Sequence, residues 1–509
     1  MTETATLGNM IGETWIVLLF HAVLAPATAL HALLFKRDSR AAFGWIGVCV
    51  LFPLAGPFIY VFFGLNRARG RAQRLGLNLA VFGSERGGPL HPATADADPS
   101  EPTDSGEHHL SAKAQRQAHA ADPSHPLRQA GEALSRYPLV DDNLIETFSG
   151  GEATFQAMLE AIERAEHHVL IATYIFDRDA TGAAFVEAIG QAVSRGVAVC
   201  VIIDGVGRLY SRPPITRALK KAGATVGLFL PPRLVPPSLS INMRSHHKIF
   251  LVDDAWAMTG GINISQRHRI DDPSNRTPTN DLHFSLEGPV VEQLRIEFER
   301  LWAMASAHAQ PLPPARAFSQ PKHADGHAVQ TRVITDGPDA DLDRLTMLFI
   351  AALSQARHSV RIMTPYFLPP RELVSAIQGA AIRGIDVALV LPSDNNLPFV
   401  HWATRNMLWE LLFRGVRVFY QAPPFHHGKL LVIDQAYAVV GSANWDVRSL
   451  RLNFELQVEA YGDDFAQQMH ALIDQAAESG QAVTLGEVDG RGFLTRLRDS
   501  ICWLFSPYL

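Results

Sequence analysis

Cysteine is scarce. The 509 residues include three, Cys49, Cys200 and Cys502, each in an apolar stretch. Three thiols so placed cannot build a disulfide framework, which fits a reducing compartment for the soluble part of the chain. Lysine is also scarce, 7 residues against 38 arginines, so a basic position free of constraint is usually arginine. Net positive charge is missing: at −6 the chain has no general basic field, and its charge gives nucleic-acid binding no support. The 21 histidines show no zinc-ligand spacing, and neither metal nor cofactor is expected. No basic residue precedes the first apolar run, which argues against a cleaved signal peptide.

Two long apolar runs are present. Trp15–Phe35 and Ala41–Leu65 contain no Asp, Glu, Lys or Arg, and each is long enough to cross a hydrocarbon core of about 30 Å. Residues 1–75 therefore read as a membrane anchor with two transmembrane helices joined by Lys36–Arg40. His21, Pro26 and His31 leave a re-entrant or interfacial first segment as the alternative. Three basic residues in the connecting loop and four after the second run (Arg67, Arg69, Arg71, Arg74) favour a cytoplasmic catalytic part only slightly. The Arg cluster reads as contact with anionic headgroups or as the start of a solvated linker. Residues 76–135 are rich in Ala, Pro, Asp, Ser and His, too poor in large apolar side chains to offset chain entropy, and read as a disordered linker.

An α/β pattern follows, and it occurs twice. Helical periodicity over Ala153–Ala165 and Ala183–Arg195 alternates with strand-like runs His168–Phe176 and Val197–Gly205. Ala352–Phe367 aligns without a gap on Ala161–Phe176, which marks an internal duplication. Two α/β domains, 136–310 and 331–485 with a linker at 311–330, are expected to pack as a pseudo-dimer with one shared site. In 486–509, Phe493, Leu497, Ile501 and Leu504 fall on one helical face. Such a helix lies on a membrane surface, or it is an ordinary terminal helix packed on the domain.

Each half carries the same short motif. His246, Lys248, Asp253, Gly260, Gly261 and Asn263 recur as His427, Lys429, Asp434, Gly441, Ser442 and Asn444. Chance supplies one His-x-Lys-x4-Asp in roughly one such chain in a hundred, and two in roughly one in 10⁴. A neutral imidazole can attack phosphorus, an ammonium neutralises phosphate oxygens, and two histidines supply both nucleophile and general acid. The candidate catalytic set is His246, Lys248, Asp253, His427, Lys429 and Asp434. Within it the two Asp lie an odd number of residues from His and Lys, face away on a regular strand, and read as structural members. Asn263, Asn444 and Ser442 are candidate phosphate ligands, brought close by the small-residue turns. Asp281 and Glu455, on the strand after each motif, are expected to orient the histidines; surface strand charge is the alternative. His247 and His426 read as bystanders.

This duplicated H-x-K-x4-D resembles the phospholipase D superfamily. Gly441–Glu455 (GSANWDVRSLRLNFE) and the N-terminal segment look most like the bacterial cardiolipin synthases within it. The resemblance implies two phospholipase D-like domains and transphosphatidylation through a phosphohistidine: two phosphatidylglycerols give cardiolipin and glycerol. It implies His246 as nucleophile, His427 as acid/base, a phospholipid substrate, and a bacterial cytoplasmic membrane with the catalytic domains on its cytoplasmic side. Hydrolytic phospholipase D activity, or transfer from phosphatidylethanolamine to phosphatidylglycerol, would use the same residues. A nuclease-type phosphodiesterase and a non-catalytic scaffold are the readings from other classes.

Overall fold

The computed structural model describes residues 22–36, 39–52, 54–61, 125–232, 243–306, 310–316 and 328–506. It divides into two compact units, Met1–Arg74 and Leu75–Leu509.

In the first unit residues 22–35 are helical, followed by α1 (Ser39–Leu51) and α2 (Ala55–Ile59). The uninterrupted second span expected over Ala41–Leu65 is broken after α1. Leu54 takes φ +61°, and position 53 is a proline, which has no N–H to carry a helix through. Among the described residues no helix is long and apolar enough to cross a membrane. Ala32, Cys49 and Tyr60 form a small buried cluster, and the Tyr60 hydroxyl lies 2.8 Å from Nδ1 of His31. The beginning of the first expected span and the Arg67–Arg74 cluster lie outside the described residues.

In the second unit the expected linker ends earlier than its composition implies. Residues 76–124 lie outside the described residues, but His125–Leu134 form helix α3. Leu127 and Leu134, two turns apart, give it an apolar stripe, and Leu127 enters the core beside Phe349.

The duplicated region forms one 15-stranded sheet. From its outer edge inward the first half runs β4 (Thr225–Phe229), β3 (Ala198–Asp204), β2 (His168–Thr173), β5 (Ile249–Val252), β6 (Trp256–Gly260), β7 (Leu282–Glu287), β1 (Val140–Ser149). The second half repeats that order with β11 (Arg417–Gln421), β10 (Asp386–Pro392), β9 (Ser359–Met363), β12 (Leu430–Ile433), β13 (Tyr437–Gly441), β14 (Glu455–Tyr461) and β8 (Val329–Asp336). A short strand, β15 (Gln481–Ala482), extends its outer edge. The halves therefore meet edge to edge, β1 on β8, instead of stacking as separate layers. An unpaired strand edge exposes backbone N–H and C=O groups that a second edge satisfies. Buried Asn143 braces the seam, its amide donating to Val140 O and Val329 O while its carbonyl accepts from Val290 N.

Helices α4 (Gly151–Arg164), α5 (Ala180–Ser194), α6 (Val290–Met304), α7 (Arg344–Gln355), α8 (Arg371–Ile382), α9 (Pro398–Leu412) and α10 (Asp463–Glu478) cover the sheet, and α11 (Phe493–Leu504) closes the described chain. The inner strands β2 and β12 are buried along their whole length because both faces of the sheet are covered. The strand expected to reach Phe176 ends at Thr173; the Thr173 hydroxyl donates to Ile175 O and turns the chain toward the site.

Candidate active site

Both histidines lie on extended lead-ins to a buried strand, β5 or β12, and each lead-in pairs with the opposite half. Ser245 bridges Phe454 in parallel, and His246 N donates to Phe454 O at 2.8 Å. Phe425–His426 pairs in parallel with Thr279–Asn280, and His427 N donates to Asn280 O at 2.6 Å. Each imidazole thus arrives beside a carboxylate of the other half. His246 Nδ1 is 3.1 Å from Glu455 Oε1, and His427 Nδ1 is 2.6 Å from Asp281 Oδ2. The orienting pairs are crossed, and the site is shared in the strict sense that neither half completes it.

Two lysines lie between these pairs. Lys248 Nζ donates to His246 O at 2.9 Å. Lys429 Nζ donates to His427 O and lies 3.3 Å from Asp281 Oδ2 and 2.6 Å from His427 Nδ1. An ammonium and an Nδ1–H are both donors, and the Asp281 carboxylate satisfies both. We therefore assign each proton to Nδ1, facing its carboxylate, which leaves Nε2 with a free lone pair. The His side chains keep about a fifth of their surface, 23% for His246 and 19% for His427, while both carboxylates are buried.

Burial sets the electrostatics. It lowers His246 against the pull of Glu455. Burial and then the Lys429 charge bring His427 down to about 4. Lys248 falls to about 8, also through burial. Burial alone would raise Asp281 and Glu455. For Asp281 the Lys429 and His427 charges outweigh it, and for Glu455 the charge and hydrogen bond of His246 do so. The site at neutral pH is two neutral imidazoles, two carboxylates and two buried ammonium groups: a set suited to a phosphodiester anion and to nucleophilic attack by nitrogen.

The other members of the candidate set serve the fold. Asp253 and Asp434, grouped with the catalytic set, lie in the hairpin turns beyond β5 and β12 with φ +53° each. Asp253 accepts from the backbone N–H of Glu166, His167 and His168, and Asp434 from those of Arg357, His358 and Ser359. They fasten the start of β2 and β9 and touch no histidine ring of the site. Aspartate tolerates the left-handed turn and caps three donors at once. Asp253→Ala and Asp434→Ala are each expected to cost about 2–4 kcal/mol of stability, with turnover per folded molecule within roughly twofold. Chemical denaturation and turnover corrected for folded fraction check this.

The candidate phosphate ligands also brace the fold. Asn263 Oδ1 accepts from Ile175 N at 3.1 Å, and Asn444 Nδ2 donates to Ser449 Oγ at 3.2 Å. Ser442 Oγ donates to Glu455 Oε2 at 2.6 Å. A Cβ on Gly261 would come within 2.2 Å of Asp281 Oδ1. The small-residue turns thus make room for the carboxylates, and Ser442 holds one of them. His247 is buried in the core, 3.7 Å from Glu297, and His426 lies in the strand pair with Asn280.

Sequence reading missed Tyr174 and Tyr366. The Tyr174 ring lies 4.7 Å from that of His246, and Tyr366 5.7 Å from that of His427. Tyr174 directly follows β2, whereas Tyr366 lies three residues beyond the end of β9, and the ungapped repeat aligns them with Pro365 and Ile175, so the repeat did not mark them. Also missed was buried Asp204, which accepts from Arg244 Nη1 and Ser245 N and so fixes the lead-in to His246.

The family model described as cardiolipin synthase, PLD-like domain, matches residues 158–302 and 349–477, one match in each half. The chain belongs to the cardiolipin synthase family of the phospholipase D superfamily. A second model, the phospholipase D-nuclease N-terminal region, matches residues 15–64. The major cardiolipin synthase ClsA of Bacillus subtilis is 31% identical over 72% of this chain and 76% of its own. A cardiolipin synthase of Oceanobacillus iheyensis is 28% identical over 98% of this chain and all of its own. Phosphatidylserine synthase of Haemophilus influenzae shares the fold, with TM-score 0.56 and 14% identity over 75% of this chain and all of its own. As a cardiolipin synthase family member the chain is a phosphatidyltransferase, and the site described above lies within the regions matched.

Proposed function

We propose that the chain makes cardiolipin and glycerol from two phosphatidylglycerols by double displacement at the crossed site. In the first step His246 Nε2 attacks phosphorus, the bond from phosphorus to the headgroup glycerol oxygen breaks, and His427 Nε2 delivers the proton to that oxygen. The arriving phosphodiester anion favours the imidazolium that this step requires, and His427 Nε2 takes up that proton from solvent before the first turnover and from the acceptor hydroxyl in each turnover after it. In the second step His427 takes the proton from a hydroxyl of the second phosphatidylglycerol, whose oxygen displaces His246 from phosphorus. Lys248 and Lys429 hold the non-bridging oxygens as charge builds on them. The observation that carries this reading is the crossing itself: each imidazole has a carboxylate of the other half beside Nδ1, which leaves Nε2 of His246 to attack phosphorus and Nε2 of His427 to carry the proton.

The reading places residues 1–75 as an anchor in the bacterial cytoplasmic membrane, spanning or lying in its interface, with the two phospholipase D-like domains on the cytoplasmic side. A lipid acceptor in place of water calls for a site at the bilayer. Phosphatidylglycerol labelled in its headgroup glycerol tests the proposal. One free glycerol per cardiolipin supports it, and phosphatidic acid as the main product overturns transfer in favour of hydrolysis.

A pH profile follows from Lys248. In kcat/KM, activity is expected to fall as pH rises through about 8, where Lys248 gives up its proton and phosphate neutralisation weakens. Lys248→Arg is expected to lower the rate and to move that alkaline limb up by more than about one pH unit.

A further inference from the structure

Helix α11 is amphipathic, and such a helix normally buries its apolar stripe against the domain. Here the polar side is buried. Asp499 is wholly buried on the docked face, accepting from Arg405 Nε at 2.8 Å, from Arg498 Nη2 at 2.9 Å and from Arg491. Ser500 Oγ donates to Asn406 Oδ1 at 3.2 Å, and the Arg498 guanidinium stacks 4.2 Å from the Trp402 ring. These contacts fasten α11 to α9. Leu494, Leu497, Ile501 and Leu504, spaced i, i+3, i+7, i+10, face away and are exposed, with relative exposures of 77, 46, 47 and 67%. Phe493, Trp503 and Phe505 are exposed around that stripe, and Trp409 and Phe413 from the α9 end are exposed too.

Monomeric proteins rarely leave so many large apolar side chains uncovered without a partner. The charge nearby indicates which partner. Three guanidinium groups meet the single Asp499 carboxylate, Arg496 makes no ion pair among the described residues, and Arg414 stacks on Phe413. Glu410 on α9 is already paired with Arg371. An apolar stripe with aromatic flanks and excess arginine complements an anionic bilayer surface: the stripe enters the acyl boundary while guanidinium groups meet phosphates. At its other end α9 leads back to the site, since Asn396, two residues before it, accepts from the Tyr366 hydroxyl at 2.6 Å, and Tyr366 edges onto His427.

We propose that α11, with the exposed aromatics of α9, is a docking surface for an anionic lipid bilayer that sets the mouth of the shared site against the membrane. Why the surface exists rests on the phosphatidyl-transfer reading; whether it enters lipid does not. The test uses the full chain with Cys502→Ser and an environment-sensitive fluorophore on Leu497→Cys, Ile501→Cys or, as control, Glu163→Cys on exposed α4. Each is placed in vesicles of phosphatidylglycerol and phosphatidylcholine with brominated acyl chains. Quenching by about twofold or more at 497 and 501, and none at 163, is expected. Labels at 497 and 501 that stay wet like 163, or are dry yet unquenched because protein covers them, overturn the proposal. In a second arm, Leu497→Glu with Ile501→Glu is expected to slow transfer on vesicles by about tenfold or more while staying within about twofold in detergent micelles. Equal loss in both formats, or none in either, overturns the link to catalysis. Quenching in a chain that makes no cardiolipin would leave the surface standing and sink only the proposed function.

Discussion

His246→Ala yields neither cardiolipin nor a phosphorylated protein, whereas His427→Ala still becomes phosphorylated when the leaving group needs no proton. On phosphatidylglycerol both variants are expected to fall by roughly 10³-fold or more, because each step of a double displacement uses both rings. The two roles separate when the headgroup glycerol is replaced by p-nitrophenol, whose departure needs little acid help. His427→Ala then recovers the burst of p-nitrophenol and retains the phosphatidyl group on His246, while His246→Ala gives neither. Quenched-flow release of p-nitrophenol, with acid-labile phosphate measured on the protein, reads both outcomes. A burst in His246→Ala that is absent in His427→Ala would exchange the roles. Phosphoprotein in neither variant would mean the rings act on one direct displacement.

The crossed carboxylates give the second large effect. Asp281→Asn removes the charge that Lys429 and His427 both face, leaving an ammonium buried without its counter-charge at a cost of about 3–5 kcal/mol. It also frees the His427 tautomer, and loss of a carboxylate that orients a catalytic imidazole slows turnover by roughly 10³–10⁴. Glu455→Gln acts on His246 in the same way, and Ser442 still holds the new amide. Because the pairs are crossed, Asp281→Asn, although in the first half, impairs the leaving-group step and is rescued by p-nitrophenol. Glu455→Gln, in the second half, impairs attack and is not rescued. Uncrossed pairs would give the opposite pattern, so the same burst assay on the two variants decides the arrangement.

Much of this site was legible in the chain. Repeated His-x-Lys spacing beside apolar runs named the two imidazoles and ammonium groups, and the position of Asp281 and Glu455 after each motif marked them as orienters. The odd spacing of Asp253 and Asp434 already turned them away from the rings, and the structure explains them as turn residues that cap strand starts. The bracing contacts of Asn263, Asn444 and Ser442 were not legible, because a polar residue beside a small-residue turn serves a phosphate or a neighbouring loop equally well. Only the neighbours distinguish these, and they come from distant segments. Helix α3 escaped because averaged linker composition hides a single apolar stripe.

Local order, then, belonged to the sequence by itself: the duplication, the buried strands, the residue types needed for phosphoryl transfer, and the amphipathic character of the last helix. These depend on periods of two or 3.6 residues and on short spacings, all properties of adjacent positions. Only the tertiary structure decided that His427 reaches a carboxylate 146 residues away, and that α11 docks by Asp499 with its apolar face outward. Such pairings arise when strand edges and charges from remote segments satisfy one another, and that choice is made between surfaces that exist only once each half has folded.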